Sequence, residues 1–228
     1  MEEQRDTQDW TLVMAGTPVD SQMGVEVLAQ HGLSDRAQAM AADPIAQTAF
    51  QNQEEAVKQA AVRQVLEEHR AAGCRRVFVY CNSLSGAVDF DQLAAETSLH
   101  IVTPLHVYRR LAQRYKRLAV ISANAQGLAG IERTFYAENP ALAVLGVTLL
   151  PLVGAIERGE APEEIIQQFH LEQLTAWFAD WGAEAVLLGC THFPYLKDAL
   201  ASRIALPLVD PAEEMIHLLK SAEKQMRV

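Results

Sequence analysis

The feature that most constrains this chain is the kind of apolar run it repeats. Seven short segments, at 11–15, 77–80, 100–103, 118–122, 145–149, 185–188 and 206–209, are nearly continuous in apolar character rather than alternating. Runs of this kind fit strands covered on both faces, which is the condition of a parallel sheet flanked by helices. Helical patterns separate them, near 22–31, 51–72, 86–96, 104–116, 126–137, 162–180, 195–203 and 211–224. The second of these ends at Gly73, a C-cap residue type. The alternation predicts an α/β protein with a mostly parallel sheet flanked by helices, or two of them. The stretch "TPLHVYRR" serves as a crossover into a second lobe. The expected organisation is a first lobe of residues 1–104 plus 205–228, to which the final strand and helix return, and a second lobe of residues 105–204. Residues 31–50 fit the alternation poorly and are expected to form a long excursion near the site.

Composition narrows the function classes. A chain of 228 residues that is 50% hydrophobic can bury a sizeable core. Its net charge of −10 argues against nucleic acid or an anionic membrane surface as partner, since both need a basic footprint. A small anionic ligand stays open, because a few local donors hold a carboxylate against the global charge. The acidic start "MEEQRDTQDW" has no apolar core of a signal peptide, and no run reaches the length of a membrane span. The expectation is a cytoplasmic protein whose three cysteines are reduced thiols.

Two of those cysteines occur in matching phrases. "RVFVYCNS" (76–83) and "AVLLGCTH" (185–192) each end an apolar run at a cysteine followed by small polar side chains. In doubly wound sheets ligands sit beyond the carboxyl ends of the strands, where both cysteines fall. Either one alone reads more readily as a buried structural thiol. Asn82 and Ser83 can cap the next helix and leave backbone N–H groups for an anion. Thr191 is a small donor in the place of Asn82, and His192 adds an imidazole that could polarise the thiol or hold a carboxylate, or that simply caps. Cys190 and His192 without a second ligand pair make a metal site improbable. "GTPVDSQMG" (16–24) follows the first run; Asp20 and Ser21 there are the least specific motif and alone read as an N-cap and no more. Cys74, between a helix end and a strand, has no polar escort and reads as structural. The duplication outweighs any single motif. Two equivalent acid/base groups in two similar lobes suit proton removal from one face of a stereocentre and proton return to the other, which is racemisation or epimerisation.

"CNS" followed downstream by "LGCTHFPYL" resembles the paired cysteine motifs of the cofactor-independent aspartate/glutamate racemase superfamily. Gly189 to Pro194 match the second motif in register, and "DSQMG" resembles the family's D-S-G-V-G turn at Asp20, Ser21 and Gly24. The resemblance implies two pseudo-symmetric lobes with the active site at the interlobe cleft. It implies Cys81 and Cys190 as the acid/base pair. Asn82, Ser83, Thr191 and Ser21 would bind the substrate's carboxylate and amine, and Asp20 and His192 would tune the thiols. Glu157, in "PLVGAIERG", resembles the acidic residue that follows "PLV" in glutamate racemases. The family implies no pyridoxal phosphate and no metal, a small acidic amino acid as substrate, and a homodimer.

The departures concern substrate. Gly16 to Val19 separate the first strand from Asp20, whereas glutamate-specific members place the Asp almost directly after it. The same stretch aligns equally on the glycine-rich turn of aspartate racemases, which takes Asp20 out of its tuning role. "ADPIAQ" (42–47) stands roughly where glutamate racemases carry Pro-Tyr-Gly. Aspartate and glutamate both stay open. So do a hydantoin racemase, a maleate isomerase or decarboxylase relative, and a two-lobed small-molecule binding protein without turnover.

Overall fold

The strand Trp10–Ala15 (β1) is buried along its whole length, as an apolar run covered on both faces should be. In the computed structural model, which describes residues 10–226, it is followed by α1 (Pro18–Gln30), β2 (Ser34–Ala39), α2 (Pro44–Gln51), α3 (Glu55–Ala71) and β3 (Arg76–Val79). Next come α4 (Asn82–Ala87), α5 (Phe90–Thr97) and β4 (His100–Val102). The strands pair in parallel in the order β2-β1-β3-β4.

A second series repeats the plan. It runs α6 (Pro104–Leu111), β5 (Arg117–Ser122), α7 (Ala125–Glu138), β6 (Ala143–Thr148), α8 (Leu150–Glu157), α9 (Pro162–Gln168), α10 (Leu171–Trp181) and β7 (Ala185–Gly189). A 3-10 turn at Phe193–Leu196, α11 (Lys197–Ala201), β8 (Leu208–Val209) and α12 (Ala212–Met226) complete it. These strands are also all parallel, in the order β6-β5-β7-β8. Each sheet therefore places the first strand of its series beside the third, and the polar turns after both leave the same edge of that sheet.

The chain divides into two compact units. One holds the residues up to Tyr80, Val88–Val102 and the chain from Ile216 on; the other holds Cys81–Ala87 and Thr103–Met215. The last strand, expected to return to the first lobe, is hydrogen-bonded to β7 of the second sheet. Only the later part of α12 belongs with the first unit.

Residues 31–50 are not an excursion. They form β2, which runs in register along the whole of β1 from Trp10↔Ser34 to Ala15↔Ala39, and most of α2. β2 reads "SDRAQA" because it lies at the end of its sheet, where backbone pairing on one side holds a strand that has little apolar surface to bury. The expected helix at 162–180 is two helices, broken at His170, which adopts a left-handed conformation (φ 51°). The 86–96 pattern is likewise two helices, α4 and α5, and α8 arises in "LPLVGAIE", where no helix is expected.

Local chemistry explains several boundaries. Gly73 has φ +99°; its N–H bonds Arg70 O at 3.0 Å and the Cys74 N–H bonds His69 O at 3.0 Å, the paired bonds of a Schellman ending. α1 begins earlier than its pattern predicts, because Thr17 is the N-cap and Pro18 supplies a pre-set φ at the first position. Gly24 of α1 faces β1 and β3 closely enough that a Cβ there would stand 2.6 Å from Val13 and 2.9 Å from Tyr80. In the second unit α4 packs on α6 and α7. At its contact with α7, a Cβ on Gly130 would lie 2.8 Å from the Gly86 Cα. That close backbone approach holds the helix that carries the polar residues following Cys81.

Candidate active site

Cys81 lies two residues beyond β3, and Cys190 directly beyond β7, so both close the third strand of a series. Cys81 is only 3% exposed. Its carbonyl accepts from the Ser85 N–H at 3.1 Å and the Ser85 hydroxyl at 2.7 Å, which fixes the first turn of α4. Its Sγ lies 3.5 Å from the Ser83 hydroxyl. A hydroxyl there can donate to a thiolate or accept from a thiol.

Cys190 is set in a different surrounding. Its Sγ is 3.7 Å from His192 Nδ1, and His192 Nε2 is 3.2 Å from Glu157 Oε1 at the last residue of α8. His192 is buried, at 4% exposure. A carboxylate only accepts, so in the tautomer that carries its hydrogen on Nε2 the ring donates to Glu157 and turns its Nδ1 lone pair to the thiol. A proton leaving Cys190 has a place to go, and the imidazolium formed would face a carboxylate. This is the nucleophile–base–orienter logic of activated thiols. Glu157 is held near His192 from outside as well. The Tyr195 hydroxyl, in the 3-10 turn, donates to Glu160 O at 3.0 Å in the loop after α8.

Of the other expected site residues, Asn82 is 5% exposed, and its Oδ1 accepts from the Tyr108 hydroxyl of α6 at 2.5 Å. Thr191 is buried beside Cys190. Asp20 and Ser21 belong to the first unit and lie inside the first turn of α1 rather than capping it. Both are buried; the Asp20 N–H is 3.4 Å from Thr17 Oγ1, and the Ser21 hydroxyl donates to Thr17 O at 2.9 Å. The structure thus joins Cys190, His192 and Glu157 in one line and pairs Cys81 with Ser83. Tyr108 and Ser85 are absent from the sequence-based reading. A tyrosine inside an amphipathic helix and a serine four residues past a cysteine carry no local signal of a role.

Cys74 differs from both. It is fully buried, its thiol lies 3.1 Å from Arg76 O, and burial raises its pKa above the ordinary thiol value. That environment keeps a thiol protonated and inert. Among the described residues, no group of three or more His, Cys, Asp or Glu side chains could hold a metal ion, and no helix is long and apolar enough to cross a membrane.

The two parallel sheets, each flanked by helices and each with a cysteine at the end of its third strand, make an α/β fold. The model of the Asp/Glu/Hydantoin racemase family matches residues 18–219, and the chain belongs to that family. A glutamate racemase of Limosilactobacillus reuteri is 32% identical over 109 residues, covering 46% of this chain and 40% of the relative's length. The matched region is thus less than half of that relative. The fold is similar to that of a glutamate racemase isoform of Bacillus anthracis (TM-score 0.73, 18% identity, 96% of this chain and 83% of the other). It is also similar to that of an aspartate racemase homologue from Pyrococcus horikoshii (TM-score 0.71, 15% identity, 93% of this chain and 99% of the other).

Proposed function

We propose that this chain is a racemase that interconverts the L and D forms of an acidic amino acid with Cys81 and Cys190 as its two bases, and without pyridoxal phosphate. The observation that carries the reading is the line from Cys190 through His192 to Glu157, in a family member whose second cysteine, Cys81, closes the corresponding strand of the other series. Glutamate is the first substrate to test, because the curated relatives are glutamate racemases; aspartate is the second, given the similarity to the aspartate racemase homologue.

The reaction needs two half-steps. One cysteine, as thiolate, takes the α-proton and becomes a thiol, leaving the electron pair on the α-carbon, delocalised into the carboxylate. The other cysteine, as thiol, gives its proton to the opposite face and becomes the thiolate. Turnover in one direction therefore leaves the enzyme ready for the reverse direction. Asn82, Ser83 and Thr191 hold the α-carboxylate, each through a hydrogen bond of ordinary strength worth up to about tenfold in affinity. His192 and Glu157 bias Cys190 toward the thiolate.

The test is proton NMR in D2O with L- and D-glutamate and L- and D-aspartate, no pyridoxal phosphate added, alongside Cys81→Ala and Cys190→Ala. Loss of the α-proton signal with one amino acid, abolished by either substitution, supports the reading and names the substrate. Exchange with none of the four sinks it for acidic amino acids. The family's own description includes hydantoin racemases, so 5-substituted hydantoins are the next substrates to try, followed by maleate.

A further inference from the structure

The structure assigns Tyr108 as a positioning residue that sets which end of the Asn82 amide faces the substrate. The inference rests on the racemase reading above, in which Asn82 holds the α-carboxylate. A side-chain amide has an accepting end and a donating end, and the two are alike in shape. What distinguishes them is the neighbour. The Tyr108 hydroxyl donates to Asn82 Oδ1 at 2.5 Å and so pins the carbonyl end toward α6. The opposite end, Nδ2, is buried and has no hydrogen-bond partner among the described residues. A buried donor left unmet is costly, and a carboxylate is a group that can only accept. The pinned amide is therefore a donor held ready for an anion.

Tyr108 is itself held firmly. It is fully buried, and its ring lies 5.8 Å from that of Phe135 on α7, at a tilt of 49°. α4, α6 and α7 pack together, so the hydroxyl and the amide belong to one rigid cluster. Without the hydroxyl, no hydrogen bond from the described residues holds the carbonyl end. A flipped amide would present oxygen to a carboxylate, which repels it. Tyr108 touches no reacting atom in this scheme; it acts through Asn82.

The experiment measures racemisation by Tyr108→Phe, Asn82→Ala and the double variant, with thermal stability alongside. Tyr108→Phe is expected to raise KM for the amino acid about tenfold, the factor set by roughly one lost binding interaction, with kcat changed far less. The double variant is expected to match Asn82→Ala, because the tyrosine has nothing left to orient. An unchanged KM in Tyr108→Phe overturns the inference, as do effects that multiply in the double variant. Should Tyr108→Phe fail to fold, the wild type answers through its Asn82 side-chain amide NMR signal, identified by its loss in Asn82→Ala. A shift of that signal on adding D-glutamate supports the inference, and none overturns it. Wild-type turnover is measured first: if no acidic amino acid exchanges its α-proton, the racemase reading fails and takes this inference with it. Turnover with an indifferent Tyr108 defeats the inference alone.

Discussion

The surroundings of Cys81 and Cys190 share a backbone plan and differ in side-chain chemistry. Each cysteine closes the third strand of a series whose sheet has the order second, first, third, fourth, and small polar residues follow each one. Beside Cys81 stands a hydroxyl, Ser83, and its carbonyl is capped by Ser85. Beside Cys190 stands an imidazole tied to a carboxylate. A repeated plan thus fixes where a thiol can stand, while the side chains around it set how readily each thiol gives up its proton. Two chemically unequal thiols still suit the racemisation proposed above. The equilibrium constant between enantiomers is unity, so kcat/KM must be equal in the two directions whatever the individual thiols prefer.

The first way to break this comparison is to remove a thiol. Cys81→Ala and Cys190→Ala are each expected to lower kcat/KM about 10³-fold in both directions, in the range of lost acid–base catalysis. A variant retaining near wild-type turnover in circular dichroism assays would show that its cysteine is not a base. Next in size is Glu157→Gln. It keeps the shape but withdraws the charge that supports a His192 imidazolium, and kcat/KM is expected to fall about 10- to 100-fold. Its pH–rate profile should move as well. An unmoved profile would mean that the Cys190–His192–Glu157 line is structural. Ser83→Ala removes the hydroxyl beside the Cys81 sulfur together with one proposed carboxylate contact, and is expected to cost about tenfold. If it costs as much as Glu157→Gln, the two sides are more alike than their geometry suggests. The smallest effect is expected at the third thiol. Cys74→Ala should leave kcat and KM within about twofold and lower stability by about 1 kcal/mol, as a small deletion in the core does; a kinetic effect there would contradict its structural role.

Most of the strands were legible because their signal is local. An apolar run such as that of β1 or β7 must be covered on both faces wherever it goes, and its ends mark where a cysteine leaves the sheet. β2 was not legible. "SDRAQA" is polar, and it is a strand because β1 offers a full row of backbone partners, which side-chain pattern does not record. The apolar pattern of 162–180 carries through "FHL" without a break, while the actual break depends on the left-handed turn at His170. At the site, the Cys190–His192 pair could be proposed from a spacing of two residues. The partner of His192 lies 35 residues away and could be placed only through the family resemblance.

What the sequence by itself determined is the class of fold, the strand ends occupied by Cys81 and Cys190, and the family that the two motifs mark. Each follows from patterns a few residues long, where burial and backbone geometry act directly on neighbours in the chain. The tertiary structure alone decided that β8 joins β7, that Glu157 meets His192, and that Tyr108 bonds Asn82. Those pairings join segments brought together by helix and strand packing. Such packing depends on which surfaces bury best against one another, and no single segment carries that information.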